Sequence, residues 1–346
     1  MFYEQHPGIF CKEFVFLKKM KTFSTSELID GLRSGDKRML AKAITLVESK
    51  KPEHRDQAEE ILKAIMPFTG NSIRIGITGV PGAGKSTFIE NFGRFAIKAG
   101  KKVAVLAIDP SSSLNKGSIL GDKTRMEELS REKNAFIRPS PTSGFLGGIA
   151  NATFESMLLC EAAGYDYILI ETVGVGQSEV LVSDITDVFL FLKIIGGGDE
   201  LQGIKRGVME MVDLIFINKV EKSNLQKAKN TKVELLRALH FMPEKEKNWK
   251  VPVLLGSALE NVGLEEVYEK IQEFIALKTA NFSFLATRKK QAEKRFEYWV
   301  KELILQKTKS GKDGETVYDL HKKKASELEV NPSSEAKLFV DQLLKN

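Results

Sequence analysis

The chain has 346 residues, with 52 Lys/Arg against 46 Asp/Glu, a net charge of +6 and 42 % hydrophobic residues. No apolar run approaches the ~20 residues that span a bilayer, which argues against a membrane-crossing protein. From Phe282 onward fourteen Lys/Arg face ten Asp/Glu; both signs are interspersed among few aromatics, the pattern of solvated helix faces rather than of a nucleic-acid stripe. Two distant cysteines, Cys11 and Cys160, offer neither a disulfide framework nor a zinc site and suit a reducing cytoplasm.

Residues 1–19 are aromatic-rich but lack the long apolar core and small-residue cleavage site of a signal peptide, and Glu4 and Glu13 argue against a transit peptide. They are read as an extension of uncertain status, with Met20 a candidate start. Ser24 and Glu27 have the spacing of a capping box. From there to about Met66 the apolar positions Leu28, Leu32, Leu40, Ile44 and Val47 fall at helical intervals, Pro52 opens a further helix, and Pro67 and Gly70 close the segment. This predicts an N-terminal helical segment over 20–70.

The chain then alternates. Apolar runs at Ile73–Thr78, Val103–Ile108, Tyr167–Ile170, Val188–Leu192, Leu214–Ile217 and Val253–Leu255 read as strands. Phe88–Ala99, about Ala150–Ala163, Asn224–His240 and Gly263–Leu277 read as helices. Such alternation predicts an α/β domain over 71–280, with a mostly parallel central sheet flanked by helices. The strands end on Asp109, Glu171, Asn218 and Ser257, polar residues where ligands of parallel sheets bind. After Phe282 the sequence is charged and helix-periodic, predicting a C-terminal helical arm over 281–346. Its apolar positions Leu303, Ile304, Leu320, Leu328, Phe339 and Leu343 suit either docking and dimerisation or packing on the arm's own core.

Between the first strand and its helix lies Gly79-Val80-Pro81-Gly82-Ala83-Gly84-Lys85-Ser86-Thr87, which fits the P-loop pattern G-x-x-x-x-G-K-[ST] in the strand–loop–helix context it requires. Glycines let backbone N–H groups wrap phosphates, and the helix N-terminus adds positive potential. Lys85 would reach the β- and γ-phosphates and the Ser86 hydroxyl would take a place on Mg²⁺. The motif implies a P-loop NTPase that binds a nucleoside triphosphate.

Asp109, Asp122 and Glu171 supply the hard carboxylate oxygens that Mg²⁺ accepts, although Asp122 also suits a helix cap. Glu171-Thr172-Val173-Gly174 has the spacing of the γ-phosphate-sensing D-x-x-G turn, with Glu for Asp, and Gly174 would present its N–H to that phosphate. Residues 196–207 form a loop with five glycines that suits closure over phosphates or contact with a partner. Asn218-Lys219-Val220-Glu221 resembles the guanine-reading N-K-x-D turn. Glu221 keeps the carboxylate but moves it by roughly a C–C bond length, ~1.5 Å. Ser257-Ala258-Leu259 would support the base as S-A-x turns do.

Taken together, GVPGAGKST (79–87), IDPSSS (108–113), GSILGDKTRM (117–126), FIRPSP (136–141), ETVGVGQSE (171–179), GGGDELQGIKRG (196–207) and AITLVES (43–49) resemble the methylmalonyl-CoA mutase-associated GTPases. These belong to the SIMIBI class of P-loop GTPases and were once described as lysine/arginine/ornithine transport ATPases. The resemblance runs from about Ser24 to the end. It implies a GTPase, binding GTP or GDP with Mg²⁺, that gates cofactor loading onto an adenosylcobalamin-dependent mutase and protects it from inactivation. It also implies a homodimer with the C-terminal helices in the contact. On the family's pattern Lys85, Asp109, Asp122 and Glu171 match phosphate- and magnesium-site positions. Lys205 matches a lysine of the third switch loop that answers to the mutase and supports hydrolysis. Relatives carry Asp at the position of Glu221. The alternative is a regulatory or transport-associated ATPase of the same fold, for which Glu221 is the sequence support.

Overall fold

In the computed structural model the described residues are 23–49, 51–109, 126–141, 146–172, 178–195, 206–309, 317–326 and 330–343. The expected extension 1–19 lies outside them.

Three helices open the described chain: α1 (Thr25–Arg33), α2 (Lys37–Val47) and α3 (Pro52–Ile65). Ser24 caps α1 through the reciprocal bonds expected with Glu27. Asp36 caps α2 through Arg38 N–H and Met39 N–H, and Pro52 sits in the first turn of α3, where its missing N–H costs nothing.

Seven strands follow: β1 (Ile73–Gly79), β2 (Val103–Asp109), β3 (Ala135–Pro141), β4 (Tyr167–Glu171), β5 (Val188–Ile194), β6 (Leu214–Asn218) and β7 (Val253–Leu255). They form one sheet in the order β3-β2-β4-β1-β5-β6-β7, every pairing parallel. Between them run α4 (Lys85–Lys98), α5 (Glu127–Arg131), α6 (Leu146–Ala162), α7 (Ser178–Ser183), α8 (Arg206–Met209), α9 (Leu225–His240) and α10 (Leu264–Ala280). The chain ends in α11 (Ser283–Lys309), α12 (Val317–Ser326) and α13 (Pro332–Leu343).

The α/β sheet expected from the alternation is present with one strand more, β3. Its sequence, AFIRPSP, carries two prolines and an arginine. As an edge strand paired only with β2 it tolerates residues that a central strand does not. Helix α4 begins at Lys85 rather than Phe88, because the phosphate loop runs directly into it. Helix α6 begins at Leu146 rather than about Ala150.

Each face of the sheet carries its own core. On one, α1, α2, α3 and α6 pack Leu32, Leu40, Ile44, Ile61 and Leu159 against Ile168, Ile170, Phe189 and Phe191. On the other, α4 and α10 bury Phe88, Phe92, Ile271 and Phe274 against Ile75, Leu190 and Phe216.

The amino-terminal edge of the sheet repeats one device three times. Asp166, Asp187 and Asp213 immediately precede β4, β5 and β6. The backbone N–H of each donates to a carbonyl on the neighbouring segment, and its carboxylate accepts the N–H of that same residue. The pairs are Asp166 with Lys102 (2.9 and 2.7 Å), Asp187 with Arg74 (2.8 and 2.9 Å) and Asp213 with Phe189 (2.8 and 2.8 Å). Each aspartate thereby fixes the register where a parallel pair begins.

Helix α11 is fastened to this edge. Arg288 donates to both oxygens of Asp187 (2.9 and 2.7 Å) and to the Gly70 carbonyl (2.7 Å), while Gln291 donates to the Thr186 carbonyl (2.8 Å). Further along α11, Phe296, Leu303 and Ile304 are 70, 47 and 50 % exposed. Thus the base of the helix packs on the body while the expected stripe residues Leu303 and Ile304 stay open. Leu320 and Leu343 are also substantially exposed, Phe339 lies against Tyr318 and His321, and Leu328 falls outside the described residues.

Candidate functional site

The strand order reverses about β1: β2, β3 and β4 lie to one side and β5, β6 and β7 to the other. The crevice beyond the carboxyl end of β1 is therefore the topological switch point of the sheet, and residues 79–87 occupy it.

Two glycines there have no substitute. A Cβ on Gly79 would stand 2.4 Å from the Leu192 carbonyl oxygen, and one on Gly84, at φ +87°, 2.6 Å from Asn218 Nδ2. The chain comes off β1 close against β5, then turns left-handed at Gly84 to start α4. That aims the free N–H groups of the first helical turn into the crevice.

Lys85 is buried at the mouth of this loop, and its ammonium donates to the Gly79 carbonyl at 2.7 Å and the Val80 carbonyl at 3.3 Å. Burial pulls its pKa below the usual lysine range, against the opposing attraction of the Glu171 and Glu179 carboxylates. A desolvated cation ringed by oxygen acceptors suits a phosphate, which replaces weak dipoles by full negative charge. Ser86 donates its hydroxyl to Glu171 Oε1 at 3.2 Å. Behind them Thr172 donates to the Thr78 hydroxyl at 3.0 Å, tying the ends of β1 and β4 together.

The other half of the crevice is built by the ends of β6 and β7. Asn218 is buried; its Nδ2 donates to the Ala83 carbonyl at 2.8 Å, and its Oδ1 accepts the Ala258 N–H at 2.8 Å. Lys219 adopts a left-handed conformation (φ +61°), unusual for a residue with a side chain and often found at functional sites. Asn224 stabilises this turn: its Oδ1 accepts the Glu221 N–H at 2.8 Å and its Nδ2 donates to the Lys219 carbonyl at 2.9 Å. The Glu221 side chain is exposed and accepts from Ser223 Oγ at 3.4 Å. Ser257 and Val262 pair to close the following turn, Ala258 is fully buried, and Leu259 is 77 % exposed at its tip.

Of the residues singled out in the sequence, 79–87, Glu171, Asn218, Lys219, Glu221 and 257–259 all lie around this one end of the sheet. Asp109 ends β2 at the same edge, its side chain outside the described residues. Asp122, Gly174 and Lys205 lie outside them altogether, as do residues 196–205 of the glycine-rich loop. Glu179, on α7, is a group the residue-by-residue reading missed. Its only signal was a carboxylate on the helix that follows the Glu171–Gly174 turn. Asn91 of α4, whose Nδ2 donates to the Ala258 carbonyl at 2.8 Å, was likewise missed, and Asn224 was read only as the start of a helix.

The family model for the methylmalonyl-CoA mutase-associated GTPase MeaB matches residues 40–313. The chain belongs to the MeaB family. It is 54 % identical over 260 residues to a putative GTPase of Caulobacter vibrioides, covering 75 % of this chain and 79 % of that one. It is 47 % identical over 298 residues to the GTPase ArgK of Escherichia coli, covering 85 % and 88 %. A solved structure described as an LAO/AO transport system kinase superposes with a TM-score of 0.73 at 37 % identity, covering 94 % of this chain and 99 % of that one. As a MeaB-family protein the chain is a GTPase, with a P-loop at the switch point of a parallel sheet.

Proposed function

We propose that this GTPase is a Mg²⁺-dependent, cytoplasmic chaperone that gates adenosylcobalamin loading onto methylmalonyl-CoA mutase and protects the loaded enzyme. The observation that carries this reading is the match to the mutase-associated GTPase model over residues 40–313.

In this reading residues 71–280 are the GTPase domain, 20–70 an N-terminal helical segment and 281–346 an arm for homodimerisation, supported by the exposed Leu303 and Ile304 on α11. The backbone of 79–87, with the Gly174 N–H, holds the phosphates, and Lys85 neutralises charge that grows toward the β–γ bridging oxygen as water attacks the γ-phosphorus. That bond breaks to give GDP and phosphate. Asn218, Lys219, Glu221 and 257–259 hold guanine, with the Glu221 carboxylate accepting from its N1–H and exocyclic amine. Ser86 and Glu171, 3.2 Å apart at the loop, form a hard-oxygen pair that fits Mg²⁺, with Asp109 and Asp122 completing the set. The ion would supply charge neutralisation to the phosphates. Lys205 couples the 196–207 loop to the mutase.

The test is GTP turnover and adenosylcobalamin transfer with and without methylmalonyl-CoA mutase. Stimulated turnover and GTP-dependent transfer are expected. Lys205→Ala should spare nucleotide affinity and blunt the stimulation; full stimulation of that variant removes Lys205 from the reading. The ATPase alternative rests on the longer, exposed carboxylate of Glu221, and a strong preference for GDP over ADP disposes of it.

A further inference from the structure

One residue in the crevice, Ala258, is held by asparagines at both its N–H and its carbonyl. Asn218 accepts the Ala258 N–H at 2.8 Å while donating to the Ala83 carbonyl of the phosphate loop at 2.8 Å. On the other side the Ala258 carbonyl accepts from Nδ2 of Asn91, again at 2.8 Å. Asn91 stands on α4, whose first turn is the end of the phosphate loop itself. The contacts close a ring: Ala83, Asn218, Ala258, Asn91, and back along α4 to Ala83.

The ring rests on a rigid floor. Phe88 stacks on Phe92 within α4 with centroids 5.4 Å apart and meets Phe216 of β6 at 5.4 Å, which packs α4 against the strand that carries Asn218. Ala258 is fully buried, and its turn is closed on the far side by the Ser257 N–H to the Val262 carbonyl (3.1 Å) and the reverse bond (3.0 Å). Asn91 thus joins the turn 257–259 to the helix of the phosphate loop.

We propose that Asn91 is a specificity-determining positioning residue. By holding the Ala258 carbonyl, it sets the turn 257–259 at the distance from the phosphate loop at which a purine with a carbonyl at position six is accepted and one with an amine is not. This rests on the reading of 257–259 as the base-supporting turn. A nucleotide is bound at both ends, and polar groups discriminate strongly only when their positions are fixed before the ligand arrives. With the bond to Asn91 gone, the turn keeps its fold but loses its fixed spacing from the loop.

The experiment is displacement of a fluorescent GDP analogue by GDP, inosine diphosphate and ADP, with Mg²⁺, on the full chain. Wild type is compared with Asn91→Asp, Asn91→Ala and Asn91→Gln. Asp keeps the shape but presents an acceptor to the Ala258 carbonyl; Ala removes the group; Gln restores a donor. GDP and inosine diphosphate, which share the six-carbonyl, should each weaken about tenfold in the Asp and Ala variants, the scale of one positioned hydrogen bond. ADP should change less than about twofold, with partial recovery in Gln and nucleotide-free melting close to wild type. Equal weakening of all three nucleotides would make Asn91 merely structural and overturn the proposal. So would unchanged affinities, or weakening of GDP alone, which points to Glu221 instead. A wild type without preference for GDP over ADP is a different result: it defeats the base-turn reading itself.

Discussion

The two ends of the sheet use charged residues in opposite ways. At the amino-terminal edge Asp187 is buried and engages one arginine through its main chain and another through a two-pronged ion pair. Arg74 meets Glu161 at 2.7 Å, and Asp213 holds both a backbone N–H and Lys245, the latter at 2.9 Å. Each of these groups is satisfied by groups of the protein itself. At the carboxyl edge Lys85 is buried, donates to carbonyls of its own loop and feels the Glu171 and Glu179 carboxylates, yet its ammonium is disfavoured by desolvation, and the Glu221 carboxylate stands in solvent beside Ser223. The first edge is finished on folding; in the proposed function the second gains its best electrostatic partners from phosphate and base. Buried charge stabilises where its partners are built in, and serves binding where they are left to the ligand.

Substitution should separate the two ends. Lys85→Ala is expected to lower GTP turnover by at least ~10²-fold, the scale for removing one donor to developing charge. Nucleotide-free melting should stay close to wild type, because the lost ammonium was costly to bury. A variant that turns over normally would refute the role of Lys85. Asp187→Ala should do the reverse. It strands the Arg74 N–H and leaves the Arg288 guanidinium with backbone carbonyls in place of its carboxylate, and losing one partner of a buried pair costs about 3–5 kcal/mol. The midpoint of denaturant unfolding should fall accordingly, while GDP affinity of the folded fraction stays as in wild type; loss of affinity at full folding would show that the ends are coupled.

Glu221→Asp carries a smaller effect. Shortening the carboxylate should sharpen the GDP:ADP affinity ratio several-fold, within the ~1–3 kcal/mol that one group in a pocket commands, without altering stability; calorimetry on both nucleotides reads it. The smallest effect is a pH dependence. Because folding lowers the Lys85 pKa below the ordinary lysine value of 10.5, the unfolded chain binds more protons between the two values, and this group's contribution to stability rises as pH rises through that window. In Lys85→Met that part of the rise should vanish. Denaturant midpoints of the nucleotide-free proteins from neutral pH to about 10.5 compare the two, and parallel curves would show that burial of Lys85 carries no such penalty.

Much of this was legible in one dimension. The capping box at Ser24, Pro52 at the start of α3 and the glycine after α4 are local signals, satisfied within a few residues. Six of the seven strands announced themselves as apolar runs because a parallel sheet covered on both faces buries both sides of each strand. The exception, β3, lies at an edge where that demand is relaxed. The phosphate loop was legible for a similar reason: its glycines and Lys85 answer to a ligand within one short segment. Asp166, Asp187 and Asp213 each precede an apolar run, yet nothing in the run tells which neighbour an aspartate will bind.

By itself, then, the sequence determined the P-loop, the alternation of strands and helices, the helix caps and the candidate guanine-reading turns, all matters of contacts between residues close in the chain or of burial on both faces. Only the tertiary structure decided the strand order that puts β1 at the switch point, the fastening of α11 by Arg288, and the meeting of Asn91 with Ala258 across 167 positions. Those outcomes depend on which distant surfaces pack together, and a side chain's partner across such a separation is chosen by the packing of whole helices and strands rather than by its neighbours in sequence.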